Sequence, residues 1–277
     1  MNKKIVVLYH KGCSDGFGAA WVLWKKFKDR AVYWPMEYQV PPPAILKSAS
    51  EVYMVDFGFP AETMKTLASK YKITAIDHHQ SQKQAIKFAE EWVFDIKHSA
   101  AVLAWSYLNP KKPTPELLKR IEDIDLWKFK IKDTKEAMAW LESHEQDFKL
   151  WDKLMWDFEN PKKRSVFLKE GAAILRYQGQ KIKELSDSAV PAVFEGRKAM
   201  VVNSPVLASE IGNRLASKEG RVAIIWSNKN KKVFVSLRSV GQTDVSELAK
   251  RYGGGGHKHA AGFGFKAANN QFPWKTD

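Results

Sequence analysis

Three β-branched runs in this chain close on side chains that bind metals. The run from Lys4 to Tyr9 ends at His10, Glu51 to Val55 ends at Asp56, and Lys72 to Ile76 ends at Asp77-His78-His79. Carboxylates and neutral imidazoles crowded at strand ends are costly to desolvate unless a metal or a phosphate pairs with them. After His10 comes Lys11-Gly12-Cys13-Ser14-Asp15-Gly16, and then Phe17, Ala20, Trp21, Trp24 and Phe27 recur at helical spacing. Cys13 and Asp15 therefore belong to a strand-to-helix loop, the place where ligands bind in open α/β sheets. His10, Asp15, Asp56, Asp77, His78 and His79 are expected to meet at one sheet edge. A mixed Asp/His set suits Mn, Fe, Co or Zn, whereas an all-carboxylate set would suit Mg. Bridging carboxylates allow two metals about 4 Å apart, an arrangement suited to in-line phosphoryl displacement.

The elements that must position these groups alternate in type. Ala31 to Trp34 reads as a short strand, Pro41-Pro42-Pro43 breaks the chain, and Pro60 opens a helix to about Tyr71. A polar helix is expected from about Ser81 to Glu91, a short strand at Val93-Phe94-Asp95, and an apolar helix from Ser99 to Leu108. This β-α-β alternation predicts a doubly wound parallel sheet. From Pro115 to about Ser188 the pattern is helical, with Leu117, Leu118, Ile121 and Ile124 on one face of a helix that carries Asp123. The rings of Trp140, Trp151 and Trp156 are read as packing within this helical region. Asn160 to Arg164 is read as a break before a long helix that runs to about Ser188, and Val190-Pro191 as a domain boundary.

Beyond Glu195-Gly196, read as a hairpin turn, strands return at Lys198–Val202, Arg221–Trp226 and Val233–Leu237, with a helix at Val206–Ala216. Asn228 to Lys231 reads as the turn of a second hairpin, and Asp244 as the N-cap of a short helix through Tyr252. Gly253 to Gly256 then lies between a helix and a strand rather than between domains. Four residues without Cβ let backbone N–H groups approach an anion, and His257 and Arg238 can add charged donors, so a phosphate cradle is expected here.

Composition agrees with an anionic substrate. The chain of 277 residues carries a formal charge of +14, with fourteen Lys and Arg against six Asp and Glu from Glu195 onward. Hydrophobic content of 44% and charged content of 27% are ordinary for a globular protein. The single cysteine, Cys13, excludes an intramolecular disulfide and suits a reducing compartment. The apolar run near the start is too short for a signal-peptide core or a membrane span, so no membrane association and a cytoplasmic location are expected.

The ordered set His10-x-x-Cys13-x-Asp15-Gly16, Asp56, Asp77-His78-His79, an Asp in Ile121-Glu122-Asp123, and Gly254-Gly255-Gly256-His257 resembles the DHH phosphoesterase superfamily with its associated C-terminal domain. The resemblance spans nearly the whole chain. It implies an N-terminal α/β metal domain (1–160), a helical linker (161–190) and a smaller α/β substrate lobe (191–277). It also implies two divalent cations, with Mn2+ expected. One would be held by His10 and Asp56 with Cys13 nearby, the other by Asp15, a bridging Asp56, His78 and Asp123. Asp125 is the alternative to Asp123, which is preferred because it follows the Ile-x-Asp pattern. Asp77 would orient the imidazoles, and His79 would lie against the scissile phosphate. Arg238, Ser239, the Gly254, Gly255 and Gly256 backbone and His257 would hold the terminal phosphate or nucleotide. Many members of the superfamily carry Asp where this chain has Cys13, a softer donor that would alter metal preference. The His-x-x-Cys-x-Asp-Gly start resembles an oligoribonuclease-like branch.

The expected activity is metal-dependent hydrolysis of short oligonucleotides, nanoRNA or linear dinucleotides such as pGpG, to 5′-mononucleotides. A RecJ-type exonuclease on single-stranded DNA and a cyclic-dinucleotide phosphodiesterase are the enzymatic rivals. A catalytically dead nucleotide-binding module is the rival from another class, and a homodimer is an assembly to test.

Overall fold

The computed structural model describes residues 4–37, 40–217, 220–229, 232–266 and 272–276. The chain forms two compact units, residues 1–175 and 176–277.

The first unit is built on five parallel strands: β1 (Lys4–His10), β2 (Ala31–Met36), β3 (Ala49–Val55), β4 (Lys72–Asp77) and β5 (Glu91–Phe94). Their spatial order is β2-β1-β3-β4-β5. Successive side chains on a strand point to opposite faces. Val6 and Leu8 accordingly enter one apolar cluster with Val52, Met54 and Ile73, while Val7 and Tyr9 enter another with Tyr53, Val55 and Ile76. Both faces are therefore buried, as the continuous apolar runs require. Helix α1 (Ser14–Phe27) covers the second face with α3 (Ala100–Leu108), and α2 (Ala61–Ala68) covers the first. The doubly wound parallel sheet read from the sequence is present.

One expectation here fails. No continuous helix spans 81–91; the segment holds two single 3₁₀ turns, Gln80–Gln82 and Ala85–Phe88. Ala85, Ile86 and Ala89 are drawn into the core, and from Glu91 the chain pairs with β4, which leaves no length for a helix.

Four further helices follow: α4 (Glu116–Asp125), α5 (Thr134–Glu142), α6 (Phe148–Glu159) and the 27-residue α7 (Pro161–Asp187). Asn160 precedes α7 and accepts from the Lys162 and Lys163 backbone N–H groups through its side chain, so the expected break ends at Asn160. Trp140 and Trp151 are buried in the core, Trp151 edge-on to Phe17, whereas Trp156 stays half exposed beside Lys25. Burial of each large apolar side chain contributes about 2 kcal/mol. The first part of α7 packs Phe167 and Leu168 onto this core. Gly171 makes that possible, because a Cβ there would stand 1.9 Å from the Glu136 carbonyl oxygen.

The second unit holds a seven-stranded mixed sheet of β6 (Val190–Phe194), β7 (Arg197–Asn203), β8 (Val222–Lys229), β9 (Lys232–Arg238), β10 (Gly255–His257), β11 (Ala260–Lys266) and β12 (Trp274–Thr276). The order is β10-β11-β9-β8-β7-β6-β12, and only β7 and β8, joined through α8 (Ala208–Ala216), run parallel among the described strand pairs. Glu195 and Gly196 both take positive φ, 50° and 72°, and form the two-residue β6–β7 turn expected of them. β8 and β9 pair up to Lys229 and Lys232, as a hairpin should, although Asn230 and Lys231 lie outside the described residues. Asp244 caps α9 (Val245–Lys250) by accepting from the Ser246 and Glu247 N–H groups. Among the described residues no helix is long and apolar enough to cross a membrane.

Candidate metal centre

β1, β3 and β4 are neighbours whose carboxyl ends lie side by side, and the sheet order reverses between β1 and β3. Ligand sites of doubly wound sheets form at such a reversal. β1 delivers His10 there, β4 delivers Asp77 and is followed by His78 and His79, and Asp56 follows β3 in a left-handed conformation, φ 54°. The first turn of α1 brings Asp15 close because Gly16 has no side chain. A Cβ on Gly16 would lie 2.4 Å from the His10 carbonyl oxygen and 3.1 Å from Asp56 Oδ2.

Asp56 stands between two ligand groups. Its Oδ2 lies 3.5 Å from His10 Nδ1 and 3.5 Å from Cys13 Sγ. Its Oδ1 lies 3.3 Å from His78 Nε2, and that nitrogen is 3.6 Å from Asp15 Oδ2 and 3.5 Å from Asp125 Oδ2. The donor atoms of His10, Cys13 and Asp56 lie within 4.8 Å of one another, as do those of Asp15, His78 and Asp125. Asp56 Oδ1 and His78 Nε2 are both buried and, among the described residues, neither has an aligned hydrogen-bond partner. Buried polar atoms left in this state cost free energy that a cation between them recovers. The donor set therefore fits divalent metal ions.

The charges respond to this crowding. Burial, followed by the charges of Asp56 and Asp125, pushes the Asp15 pKa well up, even though its oxygens accept from the Ala100 and Ala101 N–H groups at the start of α3. Burial also raises Asp125 and, with Asp56 and Asp15, the Cys13 thiol. For Asp56 burial acts upward too, but His10, His78 and His79 outweigh it and hold the carboxyl at about 2. His78 is lowered by burial, yet Asp56, Asp15 and Asp125 together lift it to about 9. One Asp77 oxygen, Oδ1, accepts from the His78 and His79 N–H groups and from His79 Nδ1 at 2.7 Å. Asp77 thus orients His79. Burial lowers the His79 pKa, but the Asp77 bond and charge leave it raised.

Asp123 does not join the cluster, contrary to the sequence expectation. Its carboxylate accepts from Lys130 N, Ile131 N and Thr134 Oγ1 at 2.8, 3.2 and 2.6 Å, which straps down the loop after α4. These bonds outweigh burial and keep its pKa low. Two residues on, Asp125 projects from the opposite side of α4 and meets His78. A signal for this was present: Asp125 follows Ile121 by four residues and so shares its face, and both side a cavity with Cys13 and Asp15. Glu142 sides the same cavity and accepts from Ser14 Oγ at 2.9 Å. No local pattern marks it, because α5 reaches the site from more than a hundred residues away.

In the second unit Arg238 pairs with Ala260, and Ala260 pairs with His257. Directly paired residues share a sheet face, so Arg238 and His257 flank one small residue on the same face. Arg238 donates to Ser209 Oγ at 2.8 Å and to the Leu237 carbonyl at 2.9 Å, and its stem lies over Gly212. Ser239 is buried and donates to the Thr243 carbonyl at 2.7 Å. The glycine run has work of its own. Gly253, at φ 73°, and Gly254 cap α9 with bonds to Lys250 O and Ala249 O, the paired-bond ending of many helices. A Cβ on Gly254 would meet Gly262 O at 2.1 Å and one on Gly256 would meet Ala260 O at 2.5 Å, whereas Gly255 faces open space.

Comparison with known proteins agrees with this fold. Residues 201–272 match the DHHA1 domain. An uncharacterized protein of Acanthamoeba polyphaga mimivirus is 30% identical over an alignment covering 98% of this chain and 69% of that protein. The oligoribonuclease NrnB of Bacillus subtilis is 29% identical over 69% of this chain, which matches only 52% of the NrnB length. RecJ from Thermus thermophilus, solved in complex with Mn2+, superposes with a TM-score of 0.58 at 16% identity, covering 98% of this chain and 50% of RecJ. The pGpG-specific phosphodiesterase PggH of Vibrio cholerae superposes with a TM-score of 0.50 at 14% identity, covering 95% and 94% of the two chains. The chain belongs to the DHH phosphoesterase superfamily, and a DHHA1 domain lies within its second unit.

Proposed function

We propose that this protein is a metal-dependent phosphodiesterase that hydrolyses short oligonucleotides, nanoRNA or linear dinucleotides such as pGpG, to 5′-mononucleotides. The observation that carries the reading is the position of Asp56, with one oxygen toward His10 and Cys13 and the other toward His78. Similarity to an oligoribonuclease and to a pGpG phosphodiesterase fold supports the substrate class.

His10, Cys13 and Asp56 would hold one divalent cation, and Asp15, Asp56, His78 and Asp125 a second. Bound there, Mn2+ would polarise the phosphoryl group and acidify a water. His79, fixed through Nδ1 by Asp77, presents Nε2 as the proton donor to the departing oxygen. In the metal-free protein the Asp77 bond and charge favour the protonated ring. In the second unit Arg238 and His257 take the terminal phosphate on their shared sheet face, and the backbone at Gly255 is open for the same ligand.

Digestion of 5′-labelled di- to decanucleotides, RNA and DNA, with Mn2+ or Mg2+ tests the reading. Preference for two to five nucleotides of RNA is expected. Steady shortening of long single-stranded DNA would transfer the assignment to a RecJ-type exonuclease.

A further inference from the structure

Beside the metal cluster the first unit carries a second cavity, of about 280 Å³, lined by Gly12, Ser14, Glu142, His144, Gln146 and Trp151. It shares Gly12, Ser14 and Glu142 with the cavity of about 230 Å³ that reaches Cys13, Asp15 and Asp125. A group bound there is thus one step from the candidate metals.

Its chemistry is opposite in sign to the rest of this basic chain. Glu142 is the last residue of α5, where carbonyl groups at the helix end add partial negative charge to that of the carboxylate. Ser14 Oγ already donates to Glu142 Oε1. His144 Nδ1 faces the Trp140 carbonyl at 2.8 Å, so the neutral ring carries its proton on Nδ1 and a lone pair on Nε2. Among the lining side chains the formal charge is that of Glu142, so a phosphate would be repelled. An uncharged group with two adjacent O–H donors suits such a pocket, and a carboxylate is the side chain that takes up ribose hydroxyls in nucleotide-binding folds.

We propose that this cavity is the subsite for the 3′-terminal ribose of the substrate, with Glu142 accepting from its vicinal hydroxyls. In an unmodified oligoribonucleotide only that sugar has both hydroxyls free, and in a dinucleotide it is joined directly to the scissile phosphate. The assignment rests on the function proposed above and adds two specificities: ribose over deoxyribose, and a free 3′ end over a phosphorylated one.

The test is kcat/KM of the full-length Mn2+-loaded protein on four dinucleotides: pApA, pApA with a 2′-deoxy 3′-terminal sugar, pApA with a 3′-phosphate, and pGpG. For the unaltered protein pApA is expected to exceed its deoxy counterpart by about tenfold, the scale of one charge-assisted hydrogen bond. In Glu142→Ala that ratio should fall toward one, chiefly through KM, and the 3′-phosphorylated substrate should gain relative to pApA. Glu142→Gln, which keeps an acceptor, should lie between. Glu142 is exposed, so folding is retained, and circular dichroism verifies it. A ratio unchanged in both variants overturns the proposal, as does a change confined to pGpG over pApA, which would assign the pocket to a base edge. If the unaltered protein cleaves none of the four, the phosphodiesterase reading fails. Calorimetric titration with pApA and its deoxy counterpart then decides the subsite separately, and equal affinities overturn it.

Discussion

Asp56 Oδ1 lies 3.3 Å from His78 Nε2, with both atoms buried, while the other oxygen of the same carboxylate faces His10 and Cys13. One side chain thus belongs to two donor groups. Its left-handed backbone, pinned by donation from Asp56 N to the Ile76 carbonyl at 3.0 Å, aims it between β1 and β4.

Asp56→Asn should therefore lower turnover at saturating Mn2+ by at least about a hundredfold, as for groups central to metal catalysis. It should also reduce the number of Mn2+ ions bound in equilibrium dialysis. Undiminished turnover would remove the basis of the two-metal reading.

Asp123 and Asp125 should separate cleanly. Asp125→Ala should weaken Mn2+ binding and activity with little effect on the melting temperature of the metal-free protein. Asp123→Ala leaves the partly buried Lys130 and Ile131 N–H groups without their acceptor, while Thr134 Oγ1 keeps the Ile131 carbonyl, and should destabilise the fold by about 1–2 kcal/mol. Thermal melts in chelator, set beside Mn2+ titrations, distinguish the two; the opposite pattern would restore Asp123 as the ligand.

The pH dependence of the metal-free protein has a definite sign. His78, lifted from 6.5 to about 9, stabilises the fold fully below its unfolded value and progressively less as pH rises through 9. Asp56, held at about 2 against 3.8, contributes above its unfolded value and loses that contribution as pH falls through 2. Asp15 is pushed well up by burial, so its ionisation also costs stability as pH rises. In chelator the melting temperature should therefore decline from about pH 6.5 toward 9, and Mn2+ should remove the decline by replacing the protons. Calorimetric titrations with Mn2+ in buffers of different ionisation heat should show proton release; none at pH 7 would contradict the protonated state of His78.

Gly16→Ala places a methyl 2.4 Å from the His10 carbonyl oxygen. Relieving that clash must move α1 away from β1, at a cost of about 1–3 kcal/mol. Mn2+ affinity should fall with it, because His10 and Asp15 separate. A melting temperature and Mn2+ affinity equal to those of the unaltered protein would show that the loop yields freely.

Much of this protein can be read without coordinates. Continuous apolar runs make parallel strands buried on both faces, each run stops at a residue type that can bind a metal, and strand ends in such a sheet converge by topology alone. His10, Asp56, Asp77, His78 and His79 were legible for that reason, as were the Glu195-Gly196 turn and the Asp244 cap, whose determinants are local. The polar segment 81–91 misled because its fate depends on Ala85 and Ile86 finding the core, a contact made far from its own pattern. Asp123 and Asp125 lie two apart on one helix, and the face that Asp125 shares with Ile121 has no direction until the helix is packed. Only the rotation of α4 against α1 and β4 turns Asp125 toward His78 and leaves Asp123 to hold a loop. Glu142 reaches the site from more than a hundred residues beyond Ser14, and no spacing encodes a meeting that packing alone brings about.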